Sequence, residues 1–305
     1  MNNWSLALYL VGGYALMVFL PVGLVYFWRK RHAAKRRSPL SRMLLRSPGE
    51  SVRIELDDAG DEALISFVML PVVPLLLYAM HISQSYFLGK PESILRTAIV
   101  VIFALVAVGY FMNSILKQLK RISKLRQGYE GEVAVAQELN QLMRIGAFVF
   151  HDVPGEGFNI DHVIVSPRGI YAVETKSRMK PNRDRGSEDA NVVFDGQRLN
   201  FPGWSETAPL EQAARQARWL ESWLSSAVGE RVGVKAVLAL PGWYVDRRGK
   251  SDVVIINGKN ATGTFGKLFH ASLSEELCQR VAHQLEQRCR DVEPRDFNKR
   301  EMAAA

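Results

Sequence analysis

Cysteine is nearly absent. Cys278 and Cys289 are the only two, and they fall three turns apart on one helical stretch, beyond the reach a disulfide needs. A disulfide framework is excluded, and in a cytoplasmic setting both are expected to be reduced thiols without a role. There is also no zinc-ligand spacing, Gly-rich phosphate loop, nucleophile elbow or internal repeat. Basic residues are missing from Met1-Asn2-Asn3-Trp4, where a cleavable signal peptide would carry them. The apolar run that follows is therefore expected to stay in place as a transmembrane helix with its N-terminus outside.

Long apolar runs are plentiful. Residues 6–28, 63–82 and 94–116 are each almost free of charge, and about 20 apolar residues suffice to cross a bilayer as a helix. Pro71 and Pro74 in the second run are tolerated in membranes, and Arg96 sits near one end of the third, where it can snorkel. The alternative for the second run is a buried helical hairpin of a soluble domain.

Charge is divided unevenly. Residues 1–126 carry 16 Lys and Arg against 7 Asp and Glu, and residues 127–305 carry 23 against 24, which together give the net +8. Nine of the basic residues lie between the first and second runs. Five more, Lys117, Lys120, Arg121, Lys124 and Arg126, follow the third, and only Lys90 lies between the second and third. The positive-inside tendency then makes the first loop and the C-terminal domain cytoplasmic, in a multi-pass protein of the inner (cytoplasmic) membrane. The pI of 9.5 arises from membrane flanks, so it is no evidence for nucleic-acid binding; the flanks suit anionic lipids. Residues 1–126 read as a membrane region, 127–290 as one soluble domain and 291–305 as a disordered tail.

The soluble part is expected to begin after Gly128. Residues 130–143 have helical periodicity, with Val135, Leu139 and Leu142 on one stripe and Glu132 one turn earlier on the same stripe. Glu132 therefore points inward; the plain alternative is an acidic residue favouring the helix dipole. Residues 147–152 read as a strand, 191–200 as a strand or hairpin around Asp195-Gly196, and Pro209 as a helix start. Residues 234–240 read as a buried strand and 253–256 as a shorter one. Ser272 with Glu275 reads as a capping box for a helix running to Cys289.

Two β-rich runs, 159–166 and 170–176, flank the turn Pro167-Arg168-Gly169. With Ser166 opposite Gly169, Asp161 falls directly across from Glu174, and Lys176 shares the Glu174 face. Opposed like charges destabilise a sheet unless something compensates. A divalent cation between the carboxylates would do so, with Lys176 beside a water or a phosphate. A bulge at Gly169 would slip the pairing by one and turn Asp161 away. His162, next to Asp161, then faces the other way and reads as structural, and His151 has no pairing argument. Arg178, Lys180, Arg183 and Arg185 follow the hairpin and could track a phosphate backbone, although such a run is usually a solvated loop.

Asp161 followed by Glu174-x-Lys176 is the pattern of the PD-(D/E)xK nucleases. More specifically, the chain resembles the nuclease-related domain (NERD) family. The resemblance rests on the acidic helix Gly128-Tyr129-Glu130-Gly131-Glu132, the strand Asn159-Ile160-Asp161-His162, the strand ending Glu174-Thr175-Lys176, and Pro209-x-x-Gln212 at a helix start. It covers roughly residues 127–240, and it departs from the wider pattern in having Ile160, not Pro, before Asp161. The resemblance implies a restriction-endonuclease-like α/β domain with a mixed sheet flanked by helices. It also implies Mg²⁺- or Mn²⁺-dependent hydrolysis of DNA or RNA, with Asp161 and Glu174 as metal ligands, Lys176 at the phosphate, and Glu132 and Gln212 in support. A non-catalytic, membrane-tethered nucleic-acid-binding or signalling module on the same fold is the competing expectation.

Overall fold

A computed structural model describes residues 42–87, 93–180 and 190–294, with a few positions between 13 and 31. The run at 6–28 is thus described only in part, and Arg183, Arg185 and residues 295–305 lie outside the described residues. The chain divides into a helical unit built on Asp58–Ile122 and an α/β unit made of Met43–Asp57 and Ser123–Val292.

In the helical unit, α1 (Glu50–Phe87) passes through Pro71 and Pro74, and α2 begins at Ile94 and continues to Leu139. Polar side chains link the two helices at matching heights: Gln118 with Glu62, Ser66 with Ser114 at 2.9 Å, Thr97 with His81 at 3.1 Å, and Arg96 with Ser85 at 3.1 Å. The residue numbers of each pair sum to nearly the same value, the mark of an antiparallel hairpin. Both helices are long and apolar enough to cross a membrane, and their most apolar windows are only 6% and 0% buried. These segments are therefore not core helices of the described chain.

The α/β unit holds β1 (Phe148–Pro154), β2 (Asn159–Ser166), β3 (Gly169–Thr175), β4 (Asn191–Phe194), β5 (Leu199–Phe201), β6 (Trp204–Glu206), β7 (Val234–Ala239), β8 (Tyr244–Arg247) and β9 (Val254–Ile256). Its helices are the end of α2, a short 3-10 turn at Asn140–Ile145, α3 (Ala208–Val228), α4 (Ala261–Phe265) and α5 (Glu275–Cys289). The main sheet runs β1-β2-β3-β7-β9, antiparallel through β3 and parallel from β3 to β9. A second sheet, β6-β5-β4-β8, takes β4 and β5 from the stretch expected to hold a strand or hairpin and adds β6 and β8 from outside it. Its strands are three or four residues long, too short for periodicity to show.

Every residue of β3 is buried, because both faces of the main sheet are covered. On one face α3 (Leu210, Ala213, Leu220) and α5 (Val281, Leu285) pack on Val163, Val165, Ile170 and Leu238. On the other, Val135 and Leu139 of α2 with Phe265 of α4 pack on Ile164, Tyr171, Val173 and Val237. Two expectations need correction. The helix carrying Glu132 does not begin after Gly128 but is continuous from Ile94; one interior Gly costs only about 1 kcal/mol relative to Ala, too little to break it. The cap of α5 is Ser274, whose side chain accepts from the Leu277 N–H, rather than Ser272.

Candidate active site

The β2–β3 register decides whether Asp161 meets Glu174. Ser166 pairs with Gly169 and His162 with Val173, so the next position sets Asp161 opposite Glu174, and no slip occurs. On the other side, His151 pairs with His162 and Val153 with Ile160, which sets Asp152 opposite Asp161. Asp152, Asp161 and Glu174 thus form one row of carboxylates across three adjacent strands, an arrangement that requires compensation at each.

Each carboxylate has its own compensation. Asp152, 2% exposed, accepts from Arg46 Nη1 at 2.8 Å, the Ser51 N–H at 3.0 Å and Ser51 Oγ at 2.6 Å. Asp161 Oδ2 accepts the Thr175 N–H at 2.6 Å. Glu174, 1% exposed, has Lys176 Nζ 2.5 Å from Oε1, and its Oε2 is buried with no hydrogen-bond partner. Asp152 also has a positive φ of 49°, a conformation costing on the order of 1 kcal/mol or more for a non-glycine residue. The strand changes face there. His151 turns to Asn140 in the 3-10 turn after α2, whereas Val153 joins the core under α3 and α5, although strict alternation would put both on one side.

Glu132 reaches this row from α2 because of Gly131. A Cβ at Gly131 would lie 2.7 Å from Ser177 Cβ and 3.5 Å from Pro241 Cγ, so only glycine lets the helix close on the chain leaving β3. Burial first, then the charges of Asp152 and Glu174, push the Glu132 carboxyl up to about 7, against the pull of Lys176. Asp161 is raised well above the usual carboxylate range, by burial first and then by Glu174 and Glu132; the Thr175 N–H and Lys176 oppose the shift. Two carboxyls raised in this way, Glu132 and Asp161, beside the unpartnered Glu174 oxygen, make a site short of positive charge.

Behind Asp161 runs a hydrogen-bonded chain that leads from the exposed Asn140 to the buried His162 and Thr175. His151 Nε2 donates to Asn140 Oδ1 at 2.9 Å, which leaves His151 Nδ1 to accept from His162 Nδ1 at 2.9 Å. His162 Nε2 then accepts from Thr175 Oγ1 at 3.3 Å, and Thr175 is the residue whose N–H holds Asp161. Burial pushes the His151 imidazole down to about 4, and His162 is lowered by burial and then by His151. His162 is buried and hydrogen-bonded to His151 and Thr175, so His151, for which the sequence offered no pairing, is its partner.

The other expected residues are placed differently. Arg178 forms a two-pronged ion pair with Glu206, 2.9 Å at both Nε and Nη2, so its guanidinium is committed within the fold. Lys180 is exposed. Gln212 is half-buried on α3, while the glutamine buried one turn later is Gln216, whose Nε2 donates to Asn159 O at 3.0 Å. Arg46, Ser51 and Asp152 were not legible as site neighbours. Their only sequence signal is a basic residue in a loop already assigned to the membrane flank.

Among the described residues no three His, Cys, Asp or Glu side chains are gathered into a metal cage. A Mg²⁺ ion does not require one, because it is commonly bound by one or two carboxylates, with substrate phosphate and water completing the shell. The opposed Asp161 and Glu174, with the orphaned Glu174 Oε2, fit that donor set. No curated protein and no solved structure matches the chain. The nuclease-related domain (NERD) family model does match, over residues 127–241, from the turn of α2 before Glu132 to just beyond β7.

Proposed function

We propose that the chain is a membrane-anchored, Mg²⁺- or Mn²⁺-dependent nuclease that hydrolyses phosphodiester bonds of DNA or RNA. The observation that carries this reading is the pairing of Asp161 with Glu174 beside Lys176, in the region that matches the nuclease-related domain. A bound divalent cation supplies charge neutralisation at the phosphate and a water of lowered pKa. Asp161 and Glu174 would hold it, and the Thr175 N–H keeps the Asp161 carboxylate in place. Lys176 brings a fixed positive charge to the edge of the site, where charge develops on the phosphate. Glu132, with its carboxyl near 7, can take or return a proton at neutral pH. Gln212 would support the site from α3, as the family match implies, and the exposed Lys180 is available to a phosphate backbone.

The anchoring rests on the exposed apolar surfaces of α1 and α2, joined by the run at 6–28. In this reading the domain faces the cytoplasm, and the lipid bilayer is its permanent partner. The test is incubation of the detergent-purified full chain with single- and double-stranded DNA and RNA, with and without Mg²⁺ or Mn²⁺. Metal-dependent cleavage lost in Asp161→Asn and Glu174→Gln is the expected result. Retention of nucleic acid without cleavage at any metal concentration would replace it with the non-catalytic binding module.

A further inference from the structure

The residues before α1 lie outside the stretch that matches the family, yet they belong to the same compact unit as the site. Leu44 exchanges two backbone hydrogen bonds with Val292, 2.7 and 3.2 Å, and Arg46 N–H donates to Cys289 O at 3.0 Å. The Arg46 side chain makes a two-pronged contact with Asp291, 2.8 Å at Nε and at Nη2, and turns its third nitrogen to Asp152. Ser51 holds the same Asp152 carboxylate with its N–H and its hydroxyl. Between these anchors the chain turns at Gly49, with φ of 64°. A Cβ there would lie 2.8 Å from Tyr129 Cδ2 and 3.3 Å from Glu132 Oε2. The backbone of this turn therefore lies against the carboxylate that α2 delivers to the row of acids.

We propose that Arg46, Gly49 and Ser51 are positioning residues of the site, clamped to Asp152 so that the turn between them holds the Glu132 carboxylate against Asp161 and Glu174. The inference rests on the nuclease reading and extends the site beyond residues 127–241. Asp152 has a reason to keep its unfavourable φ, since only there does one carboxylate meet Arg46 and Ser51 together. A plain structural tie between the chain ends would need the Asp291 and Val292 contacts but not a turn seated on Glu132.

The test is a mutant cycle in the detergent-purified full chain. Ser51→Ala and Arg46→Ala are each made alone and with Glu132→Gln, and kcat and KM are measured on an oligonucleotide that the wild type cleaves. The single variants should lose about tenfold or more in kcat, with KM little changed, and should cost nothing further once Glu132 is replaced. Equal losses in both backgrounds, or a loss confined to KM, would overturn the inference. Ser51→Ala removes one hydroxyl, so it keeps the test available if Arg46→Ala does not fold. Hydrogen exchange at residues 129–133 reads the clamp without any cleavage and should speed up in Ser51→Ala. Unchanged exchange overturns the clamp even in an active enzyme. Faster exchange in a chain that cleaves nothing overturns only the nuclease reading.

Discussion

Lys176 Nζ lies 2.5 Å from Glu174 Oε1, while the second oxygen of that carboxylate is buried without a partner. Arg46 serves Asp152 at one end of the row, which leaves Lys176 to Asp161, Glu174 and the nearby Glu132, and a divalent cation would complement them. Mn²⁺ at about ten times its dissociation constant should stabilise the folded chain by about 1.4 kcal/mol, a rise in melting temperature of about 4 °C. Asp161→Asn should abolish that rise and all cleavage. Its metal-free stability should be equal or higher, because Asn can still accept the Thr175 N–H and the repulsion is gone. Unfolding of Asp161→Asn without metal, or a wild type indifferent to millimolar Mn²⁺, would make the pair purely structural.

In the proposed nuclease, Lys176 would act on the phosphate rather than on the ion. Lys176→Ala should keep the metal-linked rise in melting temperature and lose cleavage by about 10²- to 10³-fold, the usual effect of removing one group that stabilises developing charge. Loss of the thermal response in Lys176→Ala would instead place the residue in metal binding.

The hairpin was legible because its register needs only a two-residue turn and period-2 alternation, both local. The same holds for Val135 and Leu139 on the inward stripe of α2, which carried Glu132 with them. Asp152 was not legible. Its role depends on a backbone conformation that no residue type announces and on Arg46, 106 positions earlier. On α3, Gln212 and Gln216 share a stripe in the sequence, and only packing against Asn159 singles out Gln216 as the buried one. The second sheet escaped notice because its strands are held by pairing across the chain, β4 with β8, rather than by their own pattern.

Protonation of the acids and of the histidines should bend stability in opposite directions. Glu132 is raised from 4.5 to about 7, so the unfolded chain releases this proton first. The stability it contributes is full below about pH 4.5 and is lost as pH rises to 7; Asp161, also raised, adds in the same sense. His151 is lowered from 6.5 to about 4. Its contribution is full above pH 6.5 and is lost as pH falls towards 4, because only the unfolded chain can take the proton. Melting curves without metal should show Glu132→Gln gaining on the wild type from pH 4.5 to 7, and His151→Gln losing less than the wild type from 6.5 to 4. Profiles parallel to the wild type would remove both assignments.

Arg178 was one of four basic residues that could track a phosphate backbone, and Glu206 holds it at two points. Arg178→Ala should therefore lower stability by about 1 kcal/mol and leave oligonucleotide affinity unchanged, and Glu206→Ala should do the same. The double variant should cost little more than either single one. A selective loss of affinity in Arg178→Ala, with its salt dependence reduced, would restore the contact to the substrate.

If the chain is anchored as proposed, its orientation in the membrane should follow from where the cations lie. Nine Lys and Arg lie between the first two apolar runs and five follow the third, against Lys90 alone in the loop between α1 and α2. Moving the crowded flanks outward would oppose the bias that sets topology in short loops. The polar pairs of the hairpin agree with a shared span: Arg96 reaches Ser85 near the sparsely charged end, and Gln118 meets Glu62 near the crowded one. A reporter fused after Ala305 should therefore behave as cytoplasmic and one inserted near Gln84 as external. An impermeant thiol reagent should label a Cys placed at Gln84 in intact cells and spare one placed at Lys120. The reverse pattern would put the α/β unit outside the cell, away from cytoplasmic nucleic acid, and would leave the Asp161–Glu174 site facing a substrate pool of a different kind.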